Sequence, residues 1–186
     1  MTDRPAPDLP TDRLVLRHWH AADRHPFAAM NADPDVMAHF PATLDRGTSD
    51  AWFERMNEGL DRDGYGLWAV ARRDDDAWLG MTGLAAPTFD APFTPCIEIG
   101  WRYPVSSWGQ GYATEAARAV LEHGFKVLGL AEILSWTTVA NRPSRAVMER
   151  LGMTHDPADD FEHPRIEMGH PLRPHVVYRL AAPSGR

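Results

Sequence analysis

The chain has 186 residues, of which 44% are hydrophobic and 24% charged, and its formal net charge at pH 7 is −7. This length suits one globular domain with a substantial core, and the composition excludes an intrinsically disordered chain. The net negative charge argues against non-specific binding to nucleic acid, which leaves small molecules and basic protein tails as candidate partners.

The chain begins with MTDRPAPDLP, which lacks the apolar core of a signal peptide. Its prolines predict a flexible segment at residues 1–8, so we expect one domain at residues 9–181 and a short tail at residues 182–186. No apolar run reaches the length of a membrane span. The single cysteine, Cys96, excludes an internal disulfide framework. We therefore expect a cytoplasmic protein that binds neither membranes nor nucleic acid.

The first half of the chain predicts a strand, several helices and a hairpin. Alternation of apolar and polar residues in TDRLVLRHW is typical of a strand. Prolines break the next segment into short helices. The segment TSDAWFERMNEGL has helical spacing, and Thr48, Ser49 or Asp50 is positioned to cap it. Two apolar runs in YGLWAVARRDDDAWLGMTGL flank a charged turn and predict a hairpin.

The second half predicts a strand–helix–strand unit followed by another helix and strand. The elements are a strand at Ile97–Arg102, a helix at Ala113–Leu128, a strand in AEILSWTTV, a helix in NRPSRAVMERLGM and a strand in HVVYRL. This order predicts a mixed α/β domain in which the first two of these strands are parallel and joined by a right-handed crossover.

The turn WGQGYAT lies between the strand at Ile97–Arg102 and the long helix. A helix start exposes unpaired N–H groups, and Gly109 and Gly111 allow the backbone to approach an anion closely. A Walker phosphate loop is excluded because the turn has no lysine. A dinucleotide fingerprint requires a third glycine where Thr114 stands, and it fits a mid-chain position poorly. The third interpretation is a cradle for the pyrophosphate of coenzyme A.

At these residues the sequence resembles the GNAT superfamily of N-acetyltransferases, and within it the RimJ/RimL-like branch, the ribosomal-protein-alanine acetyltransferase type. Four stretches carry the resemblance, and together they span nearly the whole chain: TDRLVLRHWHAADRHPFAAMNADPDVMAHFP, EIGWRYPVSSWGQGYATEA, VANRPSRAVMERLGM and HVVYRL. The resemblance implies a mixed, mostly antiparallel sheet of six or seven strands with flanking helices, whose two central parallel strands splay apart.

The resemblance also implies acetyl-CoA as co-substrate, with its pantetheine arm between the splayed strands and its pyrophosphate on the turn. In similar proteins the first turn position is commonly arginine or glutamine; Trp108 stands there in this chain, which removes one phosphate contact. The residues implied to bind the cofactor are Ile99, Gly100, Trp101, Trp108, Gly109, Gln110, Gly111, Tyr112, Ala113, Thr114, Asn141 and Ser144.

Acetyl transfer to an amine requires a neutral amine, a stabilised oxyanion and a protonated leaving thiolate, but no metal. Glu98, on the strand before the turn, is the candidate general base; otherwise it is a structural carboxylate near the sheet edge. Ser144 is the candidate proton donor to the thiolate or makes a local hydrogen bond at a helix start. Asn141 contacts the pantetheine or serves as a helix-entry residue.

Other reactive residues carry less signal. Cys96 has no activating neighbour in sequence and is read as a small, partly buried residue. The histidines lack metal-ligand spacing, so no metal site is expected. His39 and Tyr112 are candidates for the neighbourhood of the cleft, without an assigned role.

We expect the early helices and the loop at Pro87–Pro95 to form the acceptor side. A protein N-terminus, an amino acid, a polyamine and an aminoglycoside all remain open as acceptors. The alternative to an acetyl-CoA-dependent N-acetyltransferase is a non-catalytic acyl-CoA-binding or sensing module on the same scaffold, and a nicotinamide oxidoreductase is a distant third. Similar proteins are often dimers, so a homodimer is compatible with the resemblance.

Overall fold

The computed structural model describes residues 5–183, and within them one mixed sheet carries the fold. The strand order is β1-β2-β3-β4-β5-β6-β9-β7, and β8 pairs with β9. The strands are β1 (Leu9–Pro10), β2 (Leu14–Arg17), β3 (Leu67–Arg72), β4 (Trp78–Ala85), β5 (Glu98–Arg102), β6 (Glu132–Thr138), β7 (Thr154–His155), β8 (Phe161–Glu162) and β9 (Pro174–Ala181).

The helices of the described segment flank this sheet. Short 3-10 turns lie at Ala21–Asp23, Val105–Ser107 and Pro157–Asp159. The α-helices are α1 (Arg24–Ala32), α2 (Arg46–Asp63), α3 (Tyr112–Lys126) and α4 (Arg142–Arg150).

The predicted fold class is confirmed. The sheet is antiparallel except for the pair β5–β6, which the helix α3 connects. Each of the six strands predicted from apolar periodicity is present. The sequence missed β1, β7 and β8, because each has only two residues and so shows no periodicity.

The two faces of the sheet carry different helices. Helix α3 packs on the face that holds Leu84 and Ile133, since a Cβ on Gly124 would lie 3.4 Å from Leu84 Cδ1 and 2.7 Å from Ile133 Cδ1. Ile99 shares that face, because it is the register partner of Leu84. Arg102 points to the opposite face, where it contacts residues of α1 and α2. The acceptor side predicted for the early helices therefore lies across the sheet from α3.

Two boundaries differ from the sequence prediction. Helix α2 begins at Arg46, and its cap is Asp45, whose carboxylate accepts the Thr48 amide at 2.7 Å. The predicted caps Thr48, Ser49 and Asp50 are therefore wrong, because the helix starts earlier than its apolar stripe does. Helix α3 occupies Tyr112–Lys126 rather than Ala113–Leu128.

The start of the described segment packs on the domain. Ala6 is buried and its amide donates to the Leu60 carbonyl at 2.8 Å, while the Pro7 carbonyl accepts from Trp68 Nε1 at 3.0 Å. These residues are thus not loose, in contrast to the expectation for residues 1–8, of which residues 1–4 lie outside the described segment. None of the described helices combines the length and the apolar character that a bilayer crossing requires.

We predict that Gly83→Ala destabilises the protein by about 1–3 kcal/mol, a cost typical of overpacking. A Cβ at Gly83 would overlap the Gly66 carbonyl oxygen and lie 2.6 Å from Leu67 Cα, and backbone cannot move aside as a side-chain end can. Urea denaturation measures the effect. The control is Gly59→Ala in α2, where no atom lies within 4 Å of the new Cβ and a gain of up to about 1 kcal/mol is expected. Equal effects at the two positions would contradict the close approach of β3 and β4.

Candidate active site

The parallel strands β5 and β6 separate soon after they pair. Glu98 pairs with Leu134, and the Leu134 amide donates to the Ile97 carbonyl at 2.9 Å. Within residues 5–183 the two strands share no other register pair. The next acceptor, the Ile99 carbonyl, receives a hydrogen bond of 2.9 Å from Ser135 Oγ. A side chain takes the place of a backbone donor there because the strands have already moved apart.

The backbone of Trp101 faces the resulting gap. Successive residues of a strand direct their backbone groups to alternate sides. Ile97 and Ile99 direct their carbonyls towards β6, so Trp101 does the same, whereas the backbone groups of Gly100 face β4. Because no β6 residue pairs with Trp101, its amide and carbonyl are left for a ligand in the gap.

The gap opens into a cleft with a volume of about 1510 Å³. Its walls are β5, the N-terminal end of α3, β6, the start of α4 and the segment between α1 and α2. Ile99 and Gln110 do not line the cleft, since Ile99 is buried in the core and Gln110 points outwards. The other predicted site residues line it: Glu98, Gly100, Trp101, Trp108, Gly109, Gly111, Tyr112, Ala113, Thr114, Asn141 and Ser144.

The glycine turn leaves its amides unengaged. Gly109 and Gly111 have φ angles of 72° and 79°, in the left-handed region that favours glycine. Within the described segment the amides of residues 109–114 have no protein acceptor, and α3 has no side-chain cap. The Trp108 amide, in contrast, donates to the Val105 carbonyl at 3.0 Å. A ligand contact from Trp108 would therefore come from its half-exposed ring.

Glu115 anchors this turn to the start of the chain. Its carboxylate accepts hydrogen bonds from Thr11 Oγ1 at 2.6 Å, from the Arg13 amide at 2.9 Å and from Arg13 Nε at 2.7 Å. Arg13 Nη2 donates to the Gln110 carbonyl at 3.1 Å, and the guanidinium lies 4.9 Å from the Tyr112 ring centroid. Burial acts to raise the pKa of Glu115, but these hydrogen bonds outweigh it and lower that pKa.

Glu98 is a carboxylic acid without a partner. Its side chain reaches the cleft, yet protein atoms surround it closely, and this burial raises its pKa to about 8. No described residue forms a hydrogen bond or ion pair with it, and desolvation alone accounts for the shift. A carboxyl group that holds its proton near neutral pH is suited to exchange protons with an amine.

Asn141 and Ser144 stand on the opposite wall, at the start of α4. Asn141 Oδ1 accepts the Ser144 amide at 3.2 Å, and Asn141 Nδ2 donates to Thr137 Oγ1 at 2.8 Å. The Asn141 side chain therefore caps the start of α4, which is one of the two roles that the sequence left open. This role does not depend on a ligand. Ser144 Oγ lines the cleft and donates to no described residue.

Several cleft residues carried no signal in the sequence. Ser135 lies inside β6, and Arg102 lies at the end of β5 on the same face as Glu98. A charged residue four places from a candidate acid in an otherwise apolar strand is the only hint that was available. His39 and Tyr112 both line the cleft, and Thr138 Oγ1 lies 3.2 Å from His39 Nδ1.

The remaining reactive groups do not form a second centre. Cys96 is half-buried, and burial together with the charge of Glu98 raises its pKa to about 11, which disfavours the thiolate that acyl transfer would require. Among residues 5–183 no group of three metal-ligating side chains converges.

Comparisons with known proteins agree with this geometry. The profile of the acetyltransferase (GNAT) domain matches residues 13–154. A relative from Aspergillus fumigatus, named FsC-acetyl coenzyme A-N(2)-transacetylase, is 35% identical over 164 residues, which cover 83% of this chain and 68% of the relative. An acetyltransferase structure from Agrobacterium tumefaciens is 28% identical with a TM-score of 0.74 and covers 94% of both chains. The fold also resembles RimL in complex with coenzyme A, at 14% identity and a TM-score of 0.74, covering 94% of this chain and 98% of that one.

We predict that Glu98→Gln becomes more stable relative to the wild type as pH rises from roughly 4.3, the ordinary glutamate pKa, to about 8. The folded wild type retains the Glu98 proton when the unfolded chain has lost it, so its stability falls across this range. Each pKa unit corresponds to about 1.4 kcal/mol, so a loss above about 1 kcal/mol is expected even after discounting partial exposure.

Urea denaturation across this pH range measures the difference between the two proteins. The control is Glu122→Gln, at an exposed carboxylate paired with Lys126, which should show no such gain. A constant difference between wild type and Glu98→Gln at every pH would contradict the raised pKa.

Proposed function

The chain belongs to the acetyltransferase (GNAT) family, and we propose that it transfers an acetyl group from acetyl-CoA to a primary amine by direct attack in a ternary complex. The observation that carries the proposal is the row of unengaged amides at residues 109–114, beside the gap between β5 and β6. An anion suits the amides at a helix start, and an uncharged amide-containing arm suits the gap. Acetyl-CoA combines both features.

The described residues fit coenzyme A. The amides at residues 109–114 would hold the pyrophosphate, and no side chain competes for them. The backbone of Trp101 would pair with the pantetheine arm as a strand would, and Asn141 and Ser144 would close the gap from the side of α4. When bound, acetyl-CoA supplies the thioester carbonyl that the amine attacks.

Glu98 is the group proposed to take the proton from the acceptor amine. It lines the cleft next to the point where the strands part, and its pKa of about 8 lies near that of many amines. The ionised carboxylate accepts the ammonium proton, directly or through one water, so that the nitrogen lone pair is free to attack. An unpartnered carboxyl is suited to this role because no arginine or lysine of the described residues holds it permanently ionised.

Ser144 Oγ is proposed to donate a proton to the departing thiolate. Its amide is held by Asn141 Oδ1, which orients the start of α4, while its hydroxyl remains free among the described residues. Asn141 acts mainly by positioning Ser144, because both ends of its own amide already have partners.

The acceptor is proposed to be a protein N-terminus or a small-molecule amine, and the chain is proposed to belong to the RimJ/RimL-like branch. The name of the Aspergillus relative describes a transacetylase acting at nitrogen, which supports an amine acceptor. The likeness to RimL supports the fold only, because the identity is 14%.

The same proposal includes the domain organisation, the cellular compartment and the partners of the protein. Residues 9–181 are proposed to form one acetyltransferase domain that works in the cytoplasm, as a monomer or homodimer, without a nucleic-acid or membrane partner. The net charge of −7 and the single cysteine support this setting.

We predict that Gly111→Trp abolishes turnover and weakens coenzyme A binding by at least about tenfold, because the indole would occupy the cradle. Thiol release from acetyl-CoA across an amine panel measures turnover, and calorimetry measures binding. The control is Gly129→Trp. Gly129 has a φ of 67°, similar to the 79° of Gly111, and no atom lies within 4 Å of where its Cβ would be. It follows the C-terminal end of α3, whereas the cleft lies at the N-terminal end.

Equal rates and affinities in the two glycine variants would refute the assigned turn. Coenzyme A binding without turnover of any amine by the wild type would favour the non-catalytic acyl-CoA module instead.

We predict that Glu98→Gln lowers kcat by about 10²–10⁴-fold and removes an ionisation near pH 8 from the pH profile of kcat/KM. In the wild type kcat/KM should rise through this pKa, because only the ionised carboxylate accepts a proton. The acceptor's own pKa, measured separately by titration, distinguishes the ionisation of the amine from that of Glu98. Ser144→Ala should lower kcat while leaving the ionisation in place. Unchanged rates and profiles in both variants would contradict the proposed roles.

A further inference from the structure

Arg102 lies at the end of β5 as a half-buried cation without an anionic partner among residues 5–183. Its Nη1 donates to Asn31 Oδ1 at 2.7 Å, a neutral acceptor. The guanidinium carbon lies 4.1 Å from the Phe40 ring centroid and 5.1 Å from that of Trp52. Its Nε is buried and has no acceptor among the described residues. The side chain nevertheless lines the cleft.

Two other arginines of the described segment, one buried and one stacked on a ring, do have counterions. Arg17, which is buried, pairs with Asp23 at 2.7 Å and with Asp76 at 2.8 Å. Arg24, which also stacks on an aromatic ring, pairs with Asp50 and Glu54. For Arg102 no carboxylate of residues 5–183 offsets the burial, which lowers its pKa to about 10. Burying an unpaired charge is unfavourable, so an anion supplied from outside would stabilise this site.

The face of β5 between Glu98 and Arg102 is open to the cleft. The two residues lie four apart on β5, so their side chains share one face, with Cα atoms on the order of 13 Å apart. Gly100 lies between them on that face, and no atom lies within 4 Å of where its Cβ would be. A ligand can therefore lie over Gly100 and reach both ends.

We propose that Arg102 binds a carboxylate of the acceptor, so that the acceptor is an amine that carries a carboxylate several bonds away from its nitrogen. The inference rests on the proposed function, because it takes the amine end to lie at Glu98. Guanidinium donors suit the two oxygens of a carboxylate, and the rings of Phe40 and Trp52 cover part of the guanidinium. An α-amino acid is too short to span from Glu98 to Arg102, whereas an ω-amino carboxylate or a short peptide is long enough.

The test compares ω-amino carboxylates of increasing chain length, from glycine upward, with the matching carboxamides and aminoalkyl phosphonates. Thiol release from acetyl-CoA gives kcat/KM for each acceptor. We expect the wild type to prefer a longer carboxylate over its carboxamide by about ten- to hundredfold, the effect of one or two charge-assisted hydrogen bonds. Glycine should show no such preference.

Two variants should remove the preference by different routes. Arg102→Met removes the cation, and Asn31→Asp supplies a carboxylate of the protein to the same Nη1 at nearly unchanged shape. In both, the ratio of carboxylate to carboxamide should fall to about one, while coenzyme A affinity stays near wild type. Arg102→Lys should retain part of the ratio. The control Arg24→Met removes an arginine that has its own counterions, and should leave the ratio unchanged.

A wild-type ratio near one at every chain length, or a ratio that Arg102→Met leaves unchanged, would overturn the proposal while leaving acetyl transfer intact. A preference for the phosphonate would overturn the assignment to a carboxylate. If the wild type acetylates no amine, the site is tested by binding instead. The Nε–H resonance of Arg102, assigned by its loss in Arg102→Met, should then shift on titration with an ω-amino carboxylate in the presence of coenzyme A but not with the carboxamide. The absence of any shift would refute the anion site.

Discussion

The early separation of β5 and β6 is the constraint on which the candidate site depends. Two parallel strands that stayed paired would satisfy each other's backbone groups and leave no entry for a ligand. Here the pairing ends at Glu98 and Leu134, and Ser135 satisfies the next carbonyl with its hydroxyl. The sheet thereby keeps its buried hydrogen bonds while exposing the backbone of Trp101. The sheet tolerates this interruption because the neighbouring strands on both sides, β4 and β9, remain paired with β5 and β6.

The glycine turn owes its shape to contacts far away in sequence. The glycines allow the positive φ angles of the turn, but they do not fix its position. Glu115 supplies that restraint by binding Thr11 and Arg13, more than 100 residues earlier, and Arg13 in turn binds the Gln110 carbonyl. The amides of the turn stay free because these restraints use side chains and a carbonyl rather than the amides themselves. Thr11 and Arg13 thus help to hold the proposed cofactor site in place.

The charges of this acidic protein are distributed unevenly. Half of the described arginines pair with carboxylates, and buried Arg17 has two such partners. Glu98 and Arg102 in the cleft have no such partner among the described residues, and they lie on one strand face, too far apart to neutralise each other directly. Both are unfavourable for folding, because each is largely enclosed by protein and lacks a counterion among the described residues. Such groups concentrate where a protein binds or transforms a charged ligand, and the cleft has an unpaired carboxyl and an unpaired cation at opposite ends of one open strand face.

The sequence alone determined the fold class, the six longer strands and the position of the glycine turn. These are local properties, since apolar periodicity and the glycine pattern can be recognised within short stretches of consecutive residues. The tertiary structure alone decided the cap at Asp45, the packing of Ala6, the Glu115 anchor, the bond from Ser135 and the unpaired state of Arg102. Each of these depends on which residues from distant segments meet, or fail to meet, once the chain is folded. A single sequence cannot show that a charged residue lacks a partner, because that partner could come from anywhere in the chain, and only the folded arrangement fixes every neighbour at once.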